Sequence, residues 1–171
     1  MPSHAACPIA RWLSADHARL DGFFTRAPGA GTIDAGPYTE FRRGLLRHIA
    51  IEEKILLPAA QRARGGDPLA LAARLRLDHG AIAALLVPTP TPAIVATLRD
   101  ILTAHNALEE APGGVYAVCD GLLAGDADAM VREMASFPGV RVSPHNDGPG
   151  VLSALRRALE RAGYRLRDGA E

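Results

Sequence analysis

Apolar side chains recur every three or four residues in four long stretches, the spacing of helices that bury one face. The first runs from about Pro8 to Ala27, with Ile9, Leu13, Leu20 and Phe24 on one stripe. The second opens near Pro37 and carries Phe41, Leu45, Ile55 and Ala59 as far as Gly65-Gly66, with Pro58 expected to kink it or to end its regular part early. The third follows Asp67-Pro68, with Asp67 as the expected N-cap and Leu71, Leu75, Ile82 and Leu86 on its stripe. It stops at the proline run 88–92. The fourth starts behind Thr91 and aligns Ile94, Leu98, Ile101 and Tyr116; Pro112-Gly113-Gly114 should bend it before it resumes to about Leu123. Short connections make neighbouring helices antiparallel, so the pattern predicts an all-α, up-down-up-down four-helix bundle over residues 1–124. Residues 125–171 read as an extension packed on it, with short helices near 126–137 and 153–162 and a loop, containing a brief extended piece at 140–142, between them.

The stripes are interrupted by polar residues in a regular way. His17 lies on the first stripe, His48 and Glu52 on the second, His79 on the third, His105 and Glu109 on the fourth. The second and fourth stretches repeat one pattern, HxxxEE, at 48–53 and 105–110. Spacing i, i+4 puts the histidine and the first glutamate on one helix face. Counted at roughly 1.5 Å per residue from the helix ends, all six stand in one mid-bundle layer. Four imidazoles and two carboxylates facing one another in an apolar core are costly unless something pairs them. Cations reverse that balance. Mixed imidazole and carboxylate donors fit iron, manganese or zinc, and six donors suit a pair of irons better than one zinc.

The pattern His17…His48-x3-Glu52…His79…His105-x3-Glu109 resembles the haemerythrin-like HHE cation-binding family over about residues 8–124. The resemblance implies two iron ions, one on His17 and His48 and one on His79 and His105, bridged by Glu52, Glu109 and an oxo or hydroxo group. Oxygen-carrying members have a further histidine one turn from the third-helix histidine. Leu75 and Ala83 stand there instead, so the chain is similar to the four-histidine, two-glutamate branch, which leaves iron positions open. Members that repair iron–sulfur clusters carry an additional cysteine-bearing N-terminal domain, which is not expected here. Ferritin-like bundles use Glu-x-x-His, which the sequence lacks.

Composition narrows the partners. Nineteen basic and 19 acidic side chains cancel, so no net field recruits nucleic acid or an anionic membrane. Aromatics at 5% offer no base-stacking platform. Cys7 and Cys119 form no CxxC, and no apolar run approaches bilayer length. A cytoplasmic protein with metal ions and a small diatomic ligand such as O2 or NO as partners is the expectation. Around the six, Asp16 and Asp78 read either as orienting a neighbouring imidazole or as surface residues. Glu53 and Glu110 read as a solvated face ahead of one of them supporting a ligand, Tyr116 as core packing ahead of a redox role, Cys119 as core, Arg42, Arg43 and Arg47 as a solvated basic patch, and His145 as a surface loop ahead of a lid over the metal pocket. His4 and Cys7 precede the first helix and carry no assigned role.

Three functions compete on this basis. One is a non-haem di-iron protein that binds or senses O2, NO or peroxide. The second is iron storage, donation or repair of damaged iron–sulfur clusters. The third is a metal-free interaction module. No general base, substrate pocket or second cofactor motif argues for turnover.

Overall fold

The computed structural model describes residues 7–28 and 31–168, so His4 lies outside the described residues. Among those residues the fold is all-helical, without a strand. Helix α1 spans Pro8–Arg26, α2 Ala35–Ile51, α3 Leu57–Ala63, α4 Ala72–Leu85, α5 Pro92–Glu110, α6 Val115–Leu122, α7 Ala127–Ser136 and α8 Pro149–Ala162. Among the described residues no helix is long and apolar enough to cross a membrane.

Local chemistry explains most ends. Pro8 and Pro92 occupy first turns, where a missing N–H is harmless. Thr91 Oγ1 accepts from Ile94 N at 3.2 Å. Asp34, rather than the vicinity of Pro37, starts α2, its carboxylate accepting from Gly36 N at 2.9 Å. The start of α1 is capped from far along the chain: the Asp120 carboxylate accepts from Ile9 N at 3.0 Å and Ala10 N at 2.9 Å. Asp67 does not cap α4. A turn in which Ala72 N donates to Leu69 O at 3.0 Å intervenes, and it buries Leu69.

Pro58 does not end the second helical stretch, but the regular part of it ends early, at Ile51. Glu52–Leu56 widens into a π-helical turn in which Leu57 N donates to Glu52 O, and α3 continues from it. The wider turn absorbs the proline's missing donor and ring volume. Past Glu110 the chain breaks as expected. Gly113 takes φ +76°, and Gly114 sits so close to the end of α5 that an added Cβ would meet the carbonyl oxygens of Leu108, Ala111 and Glu109 at 2.7–2.8 Å. Only glycine lets α6 begin there.

Two apolar clusters form the core. One joins Ile9, Leu13, Ile51, Leu56, Leu75 and Tyr116; the other joins Leu20, Phe24, Leu45, Ile82, Leu98 and Ile101. Helix α1 therefore runs from the first cluster to the second, α2 from the second to the first and α4 from the first to the second, while α5 begins in the second. His17, His48, His79 and His105 fall at the crossing point of each helix.

The segment beyond residue 125 is fastened to the same two clusters. Met130 and Met134 of α7 enter the first, Leu155 and Leu159 of α8 the second. Residues 140–142 form no strand. Two arginines expected in solvent are instead fasteners. Arg42 is buried and donates to Leu86 O at 2.6 Å and Ser143 O at 2.9 Å. Arg47 donates to Phe137 O at 2.7 Å and to Met134 O and Ala135 O at 3.2 Å, satisfying the end of α7. Their long stems cross apolar surface to reach carbonyls, which helical spacing cannot reveal. Arg43 alone stays exposed, paired with Glu40 at 3.0 Å.

Candidate metal centre

All six residues singled out by the stripes lie together and buried, none more than 8% exposed. Their donor atoms form two groups of four, His17–His48–Glu52–Glu109 and Glu52–His79–His105–Glu109, each within 4.8 Å throughout. The groups share both carboxylates. Helical spacing supplies half the geometry: His48 Nε2 lies 3.4 Å from Glu52 Oε1, and His105 Nε2 3.1 Å from Glu109 Oε1. The facing helices supply the rest, with His79 Nε2 3.2 Å from Glu52 Oε2 and His17 Nε2 3.5 Å from Glu109 Oε2.

Every imidazole faces inward through Nε2 and outward through Nδ1, and a carboxylate meets each Nδ1. Asp16 Oδ2 stands 2.9 Å from His48 Nδ1, Glu53 Oε1 2.7 Å from His79 Nδ1 and Asp78 Oδ2 3.3 Å from His105 Nδ1; Glu110 meets His17 Nδ1. Each carboxylate comes from a different helical segment than its histidine. Asp78 is itself held by Arg74, and Glu53 by Arg76 at 3.2 Å. A carboxylate only accepts, so each Nδ1 carries a proton, and whenever the ring is neutral its lone pair lies at Nε2, facing inward. Carboxylate behind imidazole is how proteins fix a metal-binding tautomer and raise its basicity. Asp16 and Asp78 thus orient neighbouring imidazoles, one of the two readings open from sequence. Glu53 and Glu110 do the same, although their offset round the helix suggested solvent.

Tyr116 is the residue the sequence reading undervalued. Its hydroxyl donates to Glu52 Oε1 at 2.6 Å and lies 3.0 Å from Glu109 Oε2, 3.2 Å from His17 Nε2 and 3.3 Å from His48 Nε2. The available signal was a phenol on a buried stripe, since a buried tyrosine oxygen needs a partner.

The charges oppose one another. Burial would depress the His48 imidazolium, but the Glu52 charge and the Asp16 hydrogen bond lift it to about 10. His105 is likewise lifted to about 10, by Asp78 and Glu109 against burial. Burial and the His48 charge push His17 the other way. Against its burial, His48 and His79 hold Glu52 well below the usual carboxylate range, while burial and the Glu52 charge raise Glu109. Burial also raises the Cys119 thiol to about 12, as expected of a small core residue.

Two buried oxygens, Glu52 Oε2 and Glu109 Oε1, make no hydrogen bond despite imidazole nitrogens 3.2 and 3.1 Å away. Orphaned carboxylate oxygens in a dry interior are costly, and both point at the ring nitrogens that a shared cation would bind. The donor set therefore fits a metal.

Beside His17 and Glu110 a cleft of about 270 Å³ opens between α1, α2 and α5, floored by Phe24, Phe41 and Leu45. His145 is exposed, near Val87 O and the Tyr38 ring, and does not line that cleft. Comparison with protein-family models, with curated proteins and with solved structures finds no match.

Proposed function

We propose that the chain is a haemerythrin-like non-haem di-iron protein that binds or senses O2, NO or peroxide. Its bundle would comprise α1, α2–α3, α4 and α5–α6, with residues 125–171 as an extension packed on it. His17 and His48 would hold one metal, His79 and His105 the other, with Glu52 and Glu109 between them. The observation that carries the reading is the sharing of both carboxylates by two groups of four donors.

Two imidazoles and carboxylate oxygen suit non-haem iron with open positions. A pair of irons would supply reversible binding or reduction of a small oxidant. The protein's part is to hold neutral imidazoles by their Nδ1 protons, to balance charge with two carboxylates, and to exclude bulk water. The cleft beside His17 offers a small molecule an approach between apolar side chains. Iron donation would use the same donors, but burial of all six, none more than 8% exposed, favours a retained metal over one handed on. Anaerobic loading with ferrous iron, followed by air or NO, tests the reading. Charge-transfer absorption that develops with the gas and disappears in His105→Ala supports it; an unchanged spectrum in iron-loaded protein overturns it.

A further inference from the structure

We propose that Tyr116 is itself a ligand, coordinating through Oη the metal held by His17 and His48, so that the two metal positions are chemically unequal. The inference rests on the metal reading above and adds a donor that the histidine and glutamate pattern does not contain.

Four atoms converge on the hydroxyl: Glu52 Oε1, Glu109 Oε2, His17 Nε2 and His48 Nε2, between 2.6 and 3.3 Å away. They are the four residues of one metal-binding group; of the other they include the two shared carboxylates but neither His79 nor His105. A phenol has a single proton to give. That proton goes to Glu52 Oε1, and the other three atoms still face the same oxygen. With Asp16 and Glu110 holding the outer imidazole protons, both Nε2 atoms and one oxygen of each carboxylate turn toward this single phenol oxygen. A cation among the five atoms would satisfy all of them together, with the phenol proton released to solvent as ligand protons are on metal binding.

The ring cannot easily withdraw. It is 1% exposed, within the cluster that contains Ile9, Leu13, Ile51 and Leu56. Its helix starts at the Gly114 contact, which presses α6 onto the last turn of α5 beside Glu109. Among the described residues no tyrosine oxygen is paired with His79 or His105, so that position keeps its two imidazoles and the shared carboxylates.

The test uses full-length protein loaded anaerobically with ferrous iron and then oxidised in air, with iron measured per chain. The expected result is a visible phenolate-to-iron(III) band with resonance-enhanced tyrosinate ring modes, both lost in Tyr116→Phe while that variant still binds iron. Two irons per chain without tyrosinate modes, or modes that persist in Tyr116→Phe, overturn the assignment and leave the di-iron reading standing. Iron at background in the wild type overturns both. Should Tyr116→Phe fail to fold, the ring modes of the wild type decide the matter alone.

Discussion

His79 Nε2 and His105 Nε2 face each other at 3.2 Å, while their Nδ1 atoms are turned outward onto Glu53 and Asp78. Two lone pairs cannot meet at that distance without a positive charge between them. In the absence of metal a proton fills the role; with metal, the ion does. Protons and metal therefore compete for one space.

That competition sets a pH dependence. His48 and His105 have folded values of about 10 against an ordinary 6.5. A raised value stabilises the fold fully below 6.5, and the contribution is lost as pH rises through 10. Glu52 and Glu53, lowered from 4.5, act oppositely: their contribution is present above that value and lost on acidification. Metal-free protein should lose melting temperature between pH 7 and 10, whereas metal-loaded protein should not. Melts with and without chelator across this range check it, and parallel curves contradict it.

Glu53→Gln should weaken metal binding about 10–100-fold, the usual effect of removing a carboxylate behind a ligating imidazole. Glu53 is partly exposed, so the fold should survive. Competition against a chromogenic chelator measures the change, and undiminished affinity would remove Glu53 from the site.

Gly114→Ala places a methyl group against three backbone oxygens at 2.7–2.8 Å. Overpacking of this kind costs about 1–3 kcal/mol. Denaturant unfolding should show that loss, together with a changed tyrosine near-ultraviolet signal as α6 shifts. A neutral substitution would mean that the turn yields freely.

Arg42→Met should free the chain between α7 and α8. It strips Leu86 O and Ser143 O of a donor, at about 1–3 kcal/mol. Limited proteolysis should then cut within 138–148 while metal content stays constant. Resistance equal to the wild type would show that Asp147, which accepts from Thr89 N and Oγ1 at 2.7 Å, suffices.

The six inward donors were legible in the sequence because helical periodicity is strict: a residue on an apolar stripe faces the core whatever its chemistry. The break before α6 was legible too, since Pro112, Gly113 and Gly114 each obstruct a helix. What stayed hidden depends on reach and approach between helices. Glu53 and Glu110 sit off the stripe, yet a neighbouring helix brings His79 and His17 to them. Asp120 caps α1 by accepting from Ile9 N, 111 residues earlier. Tyr116 follows a break, so counting along α5 could not aim its hydroxyl.

Metal content of the full-length protein is the most direct test. Purified wild type, loaded with iron and desalted, should retain two ions per chain, one for each group of donors. His48→Ala and Glu109→Ala should retain one or none and melt lower. At a metal concentration 100 times Kd each site stabilises by ~2.7 kcal/mol, roughly 5–10 °C in melting temperature for a chain of this size. Iron at background in the wild type, or two ions kept by both variants, would contradict the account.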